Sequence, residues 1–508
     1  MYCSTYPRAT HCSLLLASCS FLALAMSAGI ATARDDDHHR RFFDRDSLVI
    51  SSSTYDPAKG ALAALMAGTQ LPNTATETIS AVSDNNYVTV WNNAKVDGSF
   101  GVTSPIELTD VDAFSGRVRH RLAVPTDQVV TSFSSKSELG LHFIRDWRGP
   151  HLVFVTYAEA EVGALDVSNS DAVAGQDPTN PVTFAFGSNY AFHRTIVSMD
   201  DYRGFAYTPT IAYGGNNGRS ALLGSNGLYY AVGNANNGNA ATFGPSNGTN
   251  PDVTQTTGLE VVNPINAPSV DVSIPADNSA QVDPLLHFDS DKPGKDNNYR
   301  GVTEFGGALY FTKGSGSNGI DTVYTVDSLP TLANAASTTI DIVPGFPTDS
   351  AKATGGDFTP FAVFFANATT MYVTDEGTGN ATDAANNAGL EKWSLINGTW
   401  QLDYVLTRGL IGTVDTNLTG KDGPYPDVTS IGLRNLTGAV HGDGTVTLWA
   451  TTSTSSASGD NGADPNKVVR ITDDVSAMTM TGRVMQESFE TVVGPTYGKV
   501  YRGVAYVD

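Results

Sequence analysis

The chain ends on VYRGVAYVD (500–508), and this stretch decides the fold. It is rich in β-branched and aromatic residues and reads as a strand, yet no second strand follows it. The same opening, YRGVTE, occurs at 299–304. There a two-glycine turn and a second strand come at once, giving the hairpin YRGVTEFGGALYFTKG (299–314). The frame recurs in SELGLHFIRDWRGPHLVFVTY (137–157), SALLGSNGLYYAVGN (220–234), PFAVFFANATTMYVTDEG (360–377) and SIGLRNLTGAVHGDGTVTLWATT (430–452). After each hairpin come a polar loop and one or two further strands, such as DTVYTVD, GLEKWSLINGTWQLDYVL and NKVVRITD. A four-stranded unit repeating every roughly 60–80 residues is a propeller blade with long loops.

The terminal strand then finds its place. DSLVISSSTY (46–55) is a strand with no partner before it, and PIELTDVD (105–112) and GRVRHRLAVP (116–125) supply two more. The two chain ends would share one blade and close the ring, which removes open sheet edges. Five blades plus the shared one predict an all-β, six-bladed propeller as a single domain over residues 48–508, with seven blades as the alternative. A third near-copy, YRGFAY (202–207), follows HRTIVSMDD and precedes TPT. It is expected to be the later arm of a hairpin and not the start of a blade.

The first 33 residues read as an export signal. Arg8 is the only charge before Arg34, an apolar run spans Ser13 to Ala33, and the run ends A-T-A. Residues 34–47, with DDDHHRR, are expected to be a disordered linker. All three cysteines (Cys3, Cys12, Cys19) lie in the leader, so the mature chain carries no disulfide and its core must hold it. The expected location is secreted, either extracellular or periplasmic, with no transmembrane segment in the mature chain and a monomeric state. A net charge of −22 repels phosphate backbones, so nucleic acid is not an expected partner.

The stretches TSFSSKSELGL (131–141), ALDVSNS (164–170), GKDNNYRG (294–301), TKGSGSNGIDTVY (312–324), FANATTMYVTDEG (365–377), GLEKWSLINGTWQLDY (389–404) and YRGVAY (501–506) resemble a family of secreted, largely uncharacterised bacterial and fungal proteins read as β-propellers. The resemblance implies the fold and brings no activity or catalytic residues with it. In architecture the chain is also similar to propeller lactonases and phytases, which depend on calcium. Fold analogy alone carries no function.

In a propeller, the loops between second and third strands open on the same face as the loops between blades. Here both sets are the polar ones. The between-blade loops contain Lys136 and Glu138, Asn216, Asn217 and Arg219, and the run from Lys295 to Arg300. The within-blade loops follow Lys313 and contain Asp375 and Glu376. Loops on a rigid scaffold are where sites are built. The candidate catalytic groups are therefore Asp296, Asp375 and Glu376, with Asp296 and Glu376 as possible calcium ligands. Adjacent strand residues point to opposite sides, so at most one of Asp375 and Glu376 is expected to face the axis. Lys136, Arg219, Arg300 and Lys313 would steer an anionic substrate.

Two function classes follow. One is an extracellular hydrolase or lyase acting on a small or sugar-like molecule, with calcium as its candidate cofactor. The other is a non-catalytic module binding a glycan or a surface partner, which Tyr55, Tyr299 and Tyr425 on the polar face would favour. No G-x-S-x-G, H-E-x-x-H, Walker or C-x-x-C motif is present.

Overall fold

The computed structural model describes residues 41–508 with gaps. The stretches outside it are 73–77, 81–101, 159–161, 165–193, 236–255, 271–277, 287–295, 380–387, 415–418 and 456–461, and positions 57, 65, 67, 69, 134, 136, 211, 214–215, 317, 421–422 and 425–426. Among the described residues the chain forms six antiparallel blades around one axis. Blade 1 runs outward through His142–Asp146, Gly149–Ala158, Arg194–Asp200 and Phe205–Thr210. Blade 2 uses Gly218–Leu223, Tyr229–Gly233, Gly258–Val262 and Ser279–Gln281, and blade 3 uses Val302–Phe305, Ala308–Lys313, Thr322–Val326 and Asp341–Ile342. Blade 4 comprises Pro360–Asn367, Thr370–Asp375, Gly389–Ile396 and Thr399–Leu406. Blade 5 comprises Val428–Val440, Thr445–Ser455, Val468–Asp474 and Glu490–Val493, with the short strand Gly412–Val414 added on its inner edge.

Blade 6 joins the two ends of the chain. Its inner strand is Lys499–Val507, and its second is Ser47–Thr54, paired antiparallel from Ser47 opposite Val507 to Thr54 opposite Lys499. Ile106–Asp112 and Val118–Ala123 complete it. YRGFAY forms a turn at Tyr202 to Gly204 and then enters the outer strand of blade 1, the later arm of a hairpin.

The core lies between neighbouring blades, because each strand turns alternate side chains to the two faces of its sheet. Phe305 of blade 3 stacks on Phe365 of blade 4 with ring centroids 4.3 Å apart. Trp449 of blade 5 stacks on Tyr506 of blade 6 at 4.9 Å, and its indole N–H donates to the Ala113 carbonyl at 2.7 Å. No helix among the described residues is long and apolar enough to cross a membrane.

The last residues of the stretch read as a linker are packed against the propeller. Phe42 and Phe43 are buried against Val49, Leu108 and Leu152, so the packed chain begins before residue 48. The Phe42 amide donates to the Asp201 carbonyl at 2.8 Å and the Phe43 amide to Asp201 Oδ1 at 2.9 Å. Two adjacent aromatics after a charged run were the signal for this arm. Residues 34–40 lie outside the described part.

Candidate functional site at the channel mouth

The inner strands begin on one face and meet at a narrow throat. Gly140 bridges Ser220 in parallel register. A Cβ on Gly140 would lie 2.9 Å from Ser220 Oγ and 3.1 Å from Asn435 Oδ1, so glycine is what lets three blades approach there. Gly301 meets Ala362 of the next blade, Asn435 Nδ2 donates to the Arg502 carbonyl at 2.9 Å, and Gly503 meets Leu139 and Leu141. The throat positions are thus Gly140, Ser220, Gly301, Ala362, Asn435 and Gly503. The residue before each is Leu139, Arg219, Arg300, Phe361, Arg434 and Arg502. Four of the six blades place an arginine at the same structural position.

All four guanidiniums are buried, none more than 5 % exposed. Arg300 reaches across the channel, its Nη1 donating to Ser137 Oγ at 2.8 Å, and its Nη2 lies 3.7 Å from Glu376 Oε1. Arg434 Nε donates to the other oxygen, Oε2 of Glu376, at 3.2 Å. Arg219 Nη1 donates to the Tyr299 carbonyl at 2.8 Å and to Asn298 Oδ1. Arg502 donates to Ser53 Oγ at 3.3 Å and to the Phe133 carbonyl. The Nε groups of Arg219 and Arg300 are buried and make no hydrogen bond.

The electrostatics follow from this crowding. Burial pushes the Arg219 guanidinium well below its ordinary range, and neighbouring Arg300 adds to the effect. Burial lowers Arg300 too, against the opposing field of Glu376. Burial raises Glu138, although Tyr157, Thr131 and the Ser132 amide hydrogen-bond its carboxylate and hold the shift back. Tyr157 donates to Glu138 Oε1 at 2.5 Å, and Thr131 to Oε2 at 2.7 Å. Lys313 is buried and paired with Asp321 at 2.6 Å; burial lowers the lysine and raises the aspartate.

The candidates from the sequence fall into three groups. Arg219, Arg300 and Glu376 meet at the mouth, and Lys313 stands close enough to feel Arg300 and Asp296. Asp375 and Glu376 point to opposite sides. Glu376 takes the arginines, whereas Asp375 caps backbone, accepting from the amides of Thr359 at 2.9 Å and Gly377 at 2.8 Å. Burial raises Asp375 to about 6 against those hydrogen bonds. Asp375 thus caps the backbone at the start of this loop. Asp296 is wholly buried beside Gly319. Both oxygens of Glu376 are engaged by arginine. Lys136, Lys295 and Tyr425 lie outside the described residues. Tyr299 is fully buried between Phe311 and Tyr324, and Tyr55 is buried against Phe133, so neither offers an exposed stacking face.

Glu138 was legible as a rim residue. Arg434, Arg502, Tyr157 and Asp321 were not assigned to the site. The signal for two of them was present: aligning YRGV at 299 and 501 with GRSA at 218 and LRNL at 433 puts the four arginines in register.

These features define a class, a six-bladed β-propeller whose channel mouth is lined by arginine. No family model matches the chain, and no curated protein matches it. Among solved structures it is similar to a functionally unknown protein from Desulfotomaculum acetoxidans, with 11 % identity over 76 % of this chain and 95 % of that one, at a TM-score of 0.30. It is also similar to a GH43_1 enzyme from Xanthomonas citri complexed with xylotriose, with 10 % identity over 66 % of this chain and 90 % of the other, at a TM-score of 0.29. A GH43 β-xylosidase/α-arabinofuranosidase from a compost microbial metagenome shares 10 % identity over 66 % of this chain and 94 % of its own, at a TM-score of 0.29. Scores this low carry no argument about activity.

Proposed function

We propose that this is a secreted propeller whose channel mouth binds a small, anionic, sugar-like molecule through its carboxylate or phosphate. The observation that carries the reading is the pair of buried, unpartnered Nε groups on Arg219 and Arg300 in a cluster already rich in cations. Arg219, Arg300, Arg434, Arg502 and Lys313 stand with Glu138, Glu376, Asp296 and Asp321. Lys313 pairs with Asp321 and two guanidiniums share Glu376, while Arg219 donates to the neutral oxygens of the Tyr299 carbonyl and the Asn298 amide. A buried cation without full compensation is costly, and a bound anion supplies the missing charge and acceptors. Guanidinium groups bind carboxylate and phosphate in planar, bidentate fashion, which lysine cannot match.

A hydrolase or lyase acting on that molecule is the second reading. The contact favouring it is Tyr157 against Glu138, a phenol whose proton a carboxylate is placed to accept. Burial, then Glu138, pushes the Tyr157 phenol well above its ordinary value, so the proton rests on the phenol until a substrate changes the field.

Titration calorimetry with glucuronate, galacturonate, glucose and inorganic phosphate tests the site. Saturable binding of the uronates or phosphate, with none for glucose, is expected. Arg219→Gln and Arg300→Gln should each weaken it roughly tenfold to a hundredfold, the range for a hydrogen bond to a charged group. No saturable binding of any anion, or binding indifferent to both substitutions in folded variants, overturns the proposal. Turnover of a chromogenic glucuronide that Glu138→Gln and Tyr157→Phe abolish would select the catalytic reading.

A further inference from the structure

On the face opposite the arginines, the closing blade holds a second group of ionisable side chains. Asp110 lies near the end of the strand Ile106–Asp112, and His120 is its direct neighbour in the next strand. Asp44 arrives from the N-terminal arm, which Phe42 and Phe43 anchor between blades 1 and 6. One ligand atom from each of Asp44, Asp110 and His120 can be chosen so that all lie within 4.8 Å of one another. His120 Nε2 is 3.6 Å from Asp44 Oδ2.

Three charged groups on a surface would mean little by themselves. Asp110 is what sets this place apart. Its side chain is fully buried, and neither carboxylate oxygen makes a hydrogen bond of good geometry. The neighbouring Arg119 donates instead to Asp112 Oδ2 at 2.7 Å and to the Arg45 carbonyl at 3.0 Å. A buried carboxylate facing a second carboxylate and an imidazole lacks one thing, a cation among them.

We propose that Asp44, Asp110 and His120 form a binding site for a divalent transition metal, zinc being the type ion, which clamps the N-terminal arm to the ring-closing blade. The donor set selects this class. An imidazole nitrogen with two carboxylates suits zinc and its neighbours, whereas calcium and magnesium prefer oxygen alone. Tetrahedral zinc with ligands near 2.0–2.1 Å needs donor atoms about 3.4 Å apart, which small side-chain rotations reach from the present spacing. Three protein ligands leave a fourth position for water. Asp44 is half-exposed at 49 %, which gives the ion its entry path. The ion would tie residues that are 76 positions apart and hold the arm on the seam between blades 6 and 1.

The test uses chelator-stripped protein carrying His38→Gln and His39→Gln, so that the histidine pair in DDDHHRR cannot contribute. Zinc chloride should bind with one-to-one stoichiometry and raise the melting temperature, and calcium or magnesium chloride should do neither. Asp44→Asn and His120→Gln, both at solvent-reachable positions, should each weaken zinc binding at least about tenfold. His151→Gln is the control, because His151 lies 3.5 Å from Asp146 and outside the group. Asp110→Asn should abolish the zinc-induced shift and leave the metal-free protein as stable as the parent or more so. Zinc uptake that is unsaturable, or unchanged in both Asp44→Asn and His120→Gln, overturns the proposal and leaves an Asp44–His120 ion pair only.

Discussion

Single residues show where this fold carries strain in its charges. Glu260, in the third strand of blade 2, is fully buried, and neither of its oxygens makes a hydrogen bond of good geometry. It lies across from Ala231 and Gln281 and close enough to Tyr213 to raise that phenol. Burial pushes its carboxyl well above 4.5, with the Thr256 hydroxyl opposing. The fold therefore accepts the neutral acid and pays as the group ionises. The sign is that of a raised carboxyl: full stability below the unfolded value of 4.5, and progressive loss as the pH rises above it. Glu260→Gln keeps the shape and cannot ionise. Its stability relative to the parent, from urea melts across pH 5 to 8, should rise steadily, reaching about 1 kcal/mol or more. A constant difference across that range would mean that Glu260 is charged and compensated. None of this was visible in GLEVV (258–262), where one acid in an apolar strand reads as a solvent-facing residue. The two faces of that strand are both covered by blades, so the alternation rule has no wet side to report.

At the scale of strands and hairpins the sequence was more legible. Three inner hairpins announced themselves through their turns: Gly306–Gly307 in blade 3, Gly227 in blade 2 and Gly444 in blade 5 all have positive φ. Adjacent in sequence, Asp375 and Glu376 take different partners, backbone amides for one and arginines for the other. What alternation could not supply was partners from other blades. Lys392, in the third strand of blade 4, is fully buried and 3.0 Å from Asp473 Oδ2 in blade 5. Its Nζ also donates to Tyr404 at 3.0 Å, and the phenols of Tyr372 and Tyr404 both donate to Asp473. In the sequence Asp473 is 69 to 101 positions from these partners and shares no motif with them. Lys392→Met should cost about 3–5 kcal/mol, because it strands a buried aspartate. Lys392→Met with Asp473→Leu should recover a good part of that loss, since the pair repays little more than its own desolvation. Guanidinium melts of both variants decide the matter, and equal losses in single and double variants would show that Asp473 is held by the tyrosines alone.

For the whole molecule, ring closure was readable because the two end strands lacked partners in the sequence. Arg434, Arg502 and the Asp44–Asp110–His120 group were not assigned, since their partners come from other strands or blades and share no motif with them. Closure also sets the largest stability prediction. The strand Lys499–Val507 buries Val500, Tyr501, Val504, Ala505 and Val507, and pairs along the length of Ser47–Thr54. At about 1.5–3 kcal/mol for each large apolar side chain, its removal rivals the 5–15 kcal/mol that holds an average domain together. It also deletes Arg502 and opens the edge of blade 6. Deleting 499–508 should abolish a cooperative thermal transition. Loss of packing alone would do the same, so a permuted chain separates the two causes. Asp46 N lies 3.0 Å from the Val507 carbonyl, which brings the chain ends near each other. A Gly/Ser linker from Asp508 to Arg41 can therefore close the ring covalently, with new ends cut between Gly306 and Gly307, where a Cβ would meet nothing within 4 Å. That permutant moves the open seam from blade 6 to blade 3 and keeps every strand. It should fold, with a cooperative transition close to the parent's. A permutant that fails to fold while its expression remains normal would mean that the seam at blade 6 has properties blade 3 lacks. A deletion that melts like the parent would remove ring closure as the source of stability.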